Sequence, residues 1–78
     1  MVGIVKSMPD KKSFCFIYVK DGTEYFLHKT DFNGFWEDLE RDYRKSANDI
    51  EIQFDPVSSS KGPRAANARR MDYPNQAV

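Results

Sequence analysis

Ser13-Phe14-Cys15-Phe16-Ile17-Tyr18-Val19-Lys20 runs into Asp21-Gly22 and then, two residues later, into Tyr25-Phe26-Leu27-His28. The first run alternates with a period of two: Phe14, Phe16 and Tyr18 share one face, and Ser13, Cys15, Ile17 and Val19 share the other, as a β-strand requires. Asp-Gly between two such runs is a strong hairpin signal, so Tyr25–His28 is a third strand, with Phe26 and His28 on a common face. Upstream, Val2 to Met8 is β-branched and apolar with Lys6 interposed. It stops at Pro9-Asp10-Lys11-Lys12, a turn cluster in which Pro sets φ and Asp bonds its own backbone.

Downstream the period changes. Phe32, Phe35, Trp36, Leu39 and Tyr43 recur at intervals of three and four, one helical stripe, and predict a helix over about Phe35 to Lys45. Asn33 or Thr30 is the expected cap, and Ser46-Ala47-Asn48 the expected stop. Glu37 with Arg41 and Glu40 with Arg44 are i,i+4 pairs in the favourable order. Asp49 to Asp55 alternates Ile50, Ile52 and Phe54 against acids and Gln. It reads as a fourth strand that Pro56 either terminates or forces to an edge. Ser58 to Pro63 reads as a loop, Ala65 to Met71 as a fifth strand of weak propensity, and residues 72–78 as a flexible tail. The sum is one all-β domain over residues 1–71: a five-stranded antiparallel Greek-key barrel of the OB type, with a helical segment between strands 3 and 4.

Bulk properties limit what so small a barrel does. The 78 residues allow one domain, and 40% hydrophobic with 14% aromatic residues suffice for a core. Cys15 is the only cysteine, so no internal disulfide forms and a reducing, cytoplasmic location is expected. With one Cys and one His, no metal-ligand set or cofactor site is apparent. No segment reaches the ~20 apolar residues of a membrane span. The helix carboxylates Glu37, Asp38, Glu40 and Asp42 alternate with arginines, as a solvated face does. Nothing suggests an enzyme.

The aromatic strand face is the informative feature. If Cys15, Ile17 and Val19 point into the barrel, the rings of Phe14, Phe16, Phe26 and His28 lie outside, where a ring cluster is unfavourable without a ligand. Rings beside lysines suit single-stranded nucleic acid: bases stack while ammonium groups track phosphates, at about 1–3 kcal/mol per stacked base. Alternation alone also permits the inverse, with the rings as core.

Four ordered blocks bear on that choice: Gly3-Ile4-Val5-Lys6, Lys12-Ser13-Phe14-Cys15-Phe16-Ile17, Tyr25-Phe26-Leu27-His28 and Lys61-Gly62-Pro63-Arg64-Ala65-Ala66-Asn67. In order and spacing they resemble the cold-shock domain family, whose two ribonucleoprotein motifs read Lys-Gly-Phe-Gly-Phe-Ile and Val-Phe-Val-His-Phe. The resemblance implies an OB-type barrel that binds single-stranded RNA or DNA without catalysis, often as an RNA chaperone. It places the binding aromatics at Phe14, Phe16, Phe26 and His28, and basic contacts at Lys6, Lys12 and Lys61, with Lys29 beside them. It also exposes departures: Ser7, Met8 and Lys29 stand where the family carries rings, and Ser13 and Cys15 replace the motif glycines. Phe35 or Trp36, in a helical stretch longer than in bacterial members, could replace a lost platform; alternatively Trp36, Leu39 and Tyr43 close the open end of the barrel. A monomer is expected. A protein-interaction adaptor that docks through the acidic helix is the competing function.

The formal net charge of zero, 12 basic against 12 acidic residues, hides an uneven distribution. Residues 1–30 carry five basic and three acidic groups, 31–55 three and eight, 56–71 four and none. With screening lengths of about 8–10 Å, a basic face can attract phosphate while the far side stays negative.

Overall fold

The alternating runs are strands, and the barrel they close is held by side chains from one face of each. A computed structural model describes residues 1–9, 11–46 and 50–71. Its elements are β1 (Val2–Ser7), β2 (Phe14–Tyr18), β3 (Glu24–His28), a 3-10 turn (Lys29–Asp31), α1 (Trp36–Ser46), β4 (Glu51–Ser59) and β5 (Gly62–Arg70). Asp10, Asp49 and the expected tail 72–78 lie outside the described residues; of the expected helix stop, Ser46 ends α1, and Ala47 and Asn48 lie outside. No helix of the described residues is long and apolar enough to cross a membrane.

Strand order around the closed barrel is β1-β2-β3-β5-β4. Four seams are antiparallel, but β3 and β5 run parallel, with Phe26 opposite Arg64. The expected five-stranded antiparallel OB-type barrel forms, with one parallel seam that closure of the ring requires. Strand direction must return to itself around a ring, so antiparallel seams come in even numbers, and a five-stranded ring needs a parallel one.

The interior is built from Val5, Cys15, Ile17, Val19, Leu27, Ile52, Phe54, Ala65 and Ala68, so the Cys15–Ile17–Val19 face points inward. Burial pushes the Cys15 thiol up to about 12, because a thiolate there would lose its hydration. Gly3 permits the close approach of β1 to β2: a Cβ at this position would lie 2.5 Å from Ile17 Cγ2 and 2.9 Å from the Tyr18 carbonyl oxygen.

Two bulges alter the period-two pattern. Val5 pairs with Ile17 and Ser7 with Phe16, so Lys6 is the extra residue of β1. The side-chain phase therefore flips there: Val5 is buried, Lys6 and Ser7 are exposed, and Met8 is again buried. On β5 the register slips between the Gln53–Arg69 and Asp55–Ala66 pairs, and Asn67 adopts φ 50° while its amide donates to Asp55 Oδ2 at 3.2 Å.

Strand β4 continues through Pro56 to Ser59, contrary to termination at that proline. Only residues 51–53 pair with β1, so from Asp55 onward β4 has β5 as its ladder partner, and the missing N–H of Pro56 falls on the open side. The edge alternative holds. The expected 58–63 loop shrinks to a turn at Ser60-Lys61, with Ser59 paired to Gly62 and the Ser59 hydroxyl donating to the Gly62 carbonyl at 2.7 Å.

Helix α1 covers one end of the barrel. The Phe35 carbonyl accepts the first backbone bonds, from Asp38 and Leu39, so Phe35 stands at the cap rather than Asn33 or Thr30. Gly34, at φ +147°, turns the chain into the helix in a conformation that side-chain-bearing residues avoid. Trp36 packs edge-on against Phe32 at 5.7 Å, and Leu39 is fully buried. The Tyr43 hydroxyl donates to the Lys6 carbonyl at 2.9 Å, capturing a carbonyl of the β1 bulge. Arg70, its side chain 5% exposed, pairs with Asp42 at 2.8 Å and ties the end of β5 to the helix.

Candidate nucleic-acid interface

The inward turn of Cys15, Ile17 and Val19 forces Phe14, Phe16 and Tyr18 outward, and the β2–β3 ladder sets what they meet. Phe14 lies opposite His28, Phe16 opposite Phe26, and Tyr18 opposite Glu24. The rings gather into one half-buried cluster on the outer surface. Phe14 and Phe26 are 5.2 Å apart at 32°, and Phe16 meets both edge-on at 5.9 Å. His28 lies 6.3 Å from Phe26. Edge-to-face and offset contacts at these distances are favourable aromatic geometries, so the surface is ordered before any ligand arrives. The His28 ring is also held from below: its Nδ1 accepts the Thr30 backbone N–H at 3.2 Å and lies 3.0 Å from the Thr30 hydroxyl. In the neutral ring that contact puts the N–H on Nε2.

Around the rings stand lysines. Lys12 and Lys29 are exposed at the ends of the strands that carry Phe14 and His28, and the Lys29 N–H donates to the Ser13 carbonyl at 2.7 Å. Lys61 reaches the same surface from the far side of the fold. The parallel β3–β5 seam brings the β4–β5 turn alongside β3, and a groove of about 370 Å³ runs between them, lined by Phe26, His28, Thr30, Lys61, Pro63 and Arg64 among others. Lys6 projects from the β1 bulge, with Nζ 4.3 Å from the centre of the Tyr18 ring.

Cations divide by type. Arg41, Arg44, Arg64 and Arg70 all sit in ion pairs with Asp38, Glu40, Asp31 and Asp42 respectively. Among the described residues no ion pair engages Lys6, Lys12, Lys29 or Lys61. Arg69 donates instead to Gln53 Oε1 at 3.2 and 3.3 Å.

Two expected platforms fare differently. Trp36 is 6% exposed and forms part of the core, so it cannot stack a base and its place as a binding residue is corrected: the helical stripe turns it against Phe32, and it closes the barrel end with Leu39 and Tyr43. Phe35, one residue earlier, is 78% exposed, but it touches no other ring among the described residues. Met8, a position where the resemblance implied a lost ring, is buried, because the β1 bulge turns it inward. Sequence reasoning missed the groove beside Phe26. Thr30, Pro63 and Arg64 line it, and they meet there only through the parallel seam, which leaves no local signature. Arg64 is itself anchored to Asp31, its Nε and Nη2 both donating to Oδ2 at 3.1 and 2.7 Å.

A closed five-stranded barrel bearing an external ring cluster on two adjacent strands is the geometry that the sequence resemblance implied. The family model of the 'Cold-shock' DNA-binding domain matches residues 1–71. The chain belongs to the cold-shock domain family. A cold shock-like protein, CspC of Bacillus cereus, is 32% identical over 71 residues, covering 91% of this chain and 100% of the relative. CspC from a named strain of the same species matches to the same extent. Membership makes nucleic acid the partner class of this cold-shock domain, and the ring cluster with its lysines is the part of the surface chemically suited to it.

Proposed function

We propose that this cold-shock domain binds single-stranded RNA or DNA with low sequence specificity, as a monomer in the cytoplasm, and acts in the manner of an RNA chaperone rather than an enzyme. Bases stack on Phe14, Phe16, Phe26 and His28, and the exposed Phe35 is a further contact where the strand reaches the start of α1. Lys6, Lys12, Lys29 and Lys61 neutralise phosphates. One observation carries this reading: three phenylalanines and a histidine pack together outside the barrel, ringed by lysines that no carboxylate holds among the described residues. Base faces are common to every nucleotide, so recognition by stacking tolerates sequence. A duplex hides those faces, so single strands are preferred. A strand held this way cannot pair with itself, which is what chaperone action requires.

The acidic helix gains no support as a docking site. Asp38, Glu40 and Asp42 are already engaged by arginines, so a basic partner would have to compete with intramolecular ion pairs.

Anisotropy of a labelled pyrimidine-rich single strand at low salt, against a duplex of the same length, tests the proposal. Saturable binding is expected for the strand and much weaker binding for the duplex. For single strands the logarithm of affinity falls by about 0.7 per neutralised phosphate for each decade of salt, so four lysines give a slope of at most about −2.8. Equal affinity for strand and duplex, or no saturable binding, overturns it. Trp36 is too deeply buried to serve as the reporter.

A further inference from the structure

We infer that Tyr18 and Lys6 form an additional nucleotide subsite that continues the ring surface beyond Phe16, and that a base enters it by displacing the Lys6 ammonium from the tyrosine ring. The inference rests on the single-strand reading above and extends it.

Tyr18 follows Phe16 by two residues on β2, so it stands on the same outer face one pleat further along. Its surroundings differ from those of Phe16. Phe16 is flanked across the ladder by Phe26 and touched edge-on by Phe14, whereas Tyr18 lies between Ile4 of β1 and Glu24 of β3. No ring packs on it among the described residues, and it is 39% exposed. What covers it is the Lys6 ammonium, 4.3 Å from the ring centre. Beside it lies a mostly apolar groove of about 520 Å³, lined by Val2, Gly3, Ile4, Tyr18, Val19 and Lys20, with Glu51 at the rim. Ile4 and Val2 are themselves exposed, so a flat, apolar group gains contact area there.

Charge orients the occupant. Glu24 and Glu51 are acids on two sides of the site, and they keep a phosphate away from those edges. Lys6 and Lys20 supply the cations on the others. A nucleotide therefore places its base on Tyr18 and its phosphate toward Lys6. The ammonium can leave the ring without disturbing the bulge, because the Lys6 backbone is held by the Tyr43 hydroxyl at its carbonyl.

Magnitudes favour the exchange. An ammonium over an exposed ring is worth about two- to fivefold in equilibrium. A stacked base is worth about fivefold to more than a hundredfold. The displaced ammonium also gains a phosphate partner, so the swap runs toward the nucleotide.

Oligothymidylates from trinucleotide to nonanucleotide, titrated at low salt against wild type, Tyr18→Ala and Tyr18→Phe, test the subsite. Wild-type affinity should rise with length until the subsite fills. Tyr18→Ala should reach its plateau one nucleotide earlier, bind the longest strands at least about fivefold more weakly, and bind the shortest unchanged; Tyr18→Phe should behave as wild type. A melting curve in the same buffer checks folding, and should Tyr18→Ala not fold, Tyr18→Leu replaces it, with the same loss for long strands and the same plateau one nucleotide earlier expected. If the variant matches wild type at every length, the subsite is absent while the functional proposal stands. If wild type binds no strand at any length, both fall.

Discussion

Phe16→Ala and Phe54→Ala remove the same atoms from opposite faces of the barrel wall, and the contrast between them tests which face is the core. Phe54 is 1% exposed and packs against Tyr25 at 5.0 Å. Truncating a fully buried Phe costs about 3–5 kcal/mol, and a core in a domain below about 80 residues supplies only about 3–5 kcal/mol in all. Phe54→Ala should therefore leave little or no folded protein. Phe16 is half-buried on the outer face, and its ring contacts are two edge-on neighbours at 5.9 Å. Losing them costs about 1–2 kcal/mol, which lowers the melting temperature by about 5–15 °C and leaves the domain folded at room temperature. Binding should suffer more than folding, since a lost stacking platform removes about 1–3 kcal/mol, or about fivefold to more than a hundredfold in Kd. Thermal melts by circular dichroism and anisotropy titrations on a labelled single strand read the two effects separately. Unfolding of Phe16→Ala at room temperature, or a Phe54→Ala variant as stable as wild type, would refute the assignment of faces; unchanged strand affinity in a folded Phe16→Ala would refute the role of the ring.

Three further outcomes follow from the same geometry. Gly3→Ala drives a methyl group against Ile17, which is fully buried, and against the Tyr18 backbone; neither retreats easily, so a loss of about 1–3 kcal/mol is expected, and an unchanged melting temperature contradicts it. Asp42→Ala removes the carboxylate that pairs with the buried Arg70 guanidinium and lies 3.4 Å from Arg41, and should cost about 2 kcal/mol or more, whereas Asp38→Ala on the same helix breaks an exposed pair with Arg41 worth at most about 1 kcal/mol; equal urea midpoints for the two variants would contradict that difference. Burial raises the Cys15 thiol from 9.0 to about 12, so its stabilising contribution is fully present below pH 9 and is lost as pH rises from there toward about 12. By pH 10 the loss is about 1.4 kcal/mol, and Cys15→Ala should show a smaller drop in urea midpoint between pH 8 and pH 10 than wild type does.

How much of this was legible in the chain varies from residue to residue, and the dividing line is physical. Alternation in Phe14 to Val19 encodes a strand with two unlike faces, the Asp21-Gly22 turn encodes its hairpin, and the intervals from Phe32 to Tyr43 encode a helix. Each of these signals is local, because side-chain periodicity and turn preference act over a few residues. The ring cluster could be listed from the same signals, since Phe14, Phe16, Phe26 and His28 fall on paired strands. Tyr18 was equally visible on that face, but nothing local distinguished it from its neighbours until Lys6 was found above it.

By itself, then, the sequence determined the element order, the two-faced second strand and the family blocks that place this domain among cold-shock proteins. Only the tertiary structure decided which residues meet. The bulge at Lys6 turns Met8 inward, and α1 buries Trp36 while leaving Phe35 in water. Closure of an odd-stranded ring imposes a parallel β3–β5 seam, and that seam carries Lys61, 35 positions along the chain from Phe26, to the rings. Each depends on contacts between segments remote in sequence, where closure of the barrel, rather than the propensity of any one stretch, sets the position of the side chain.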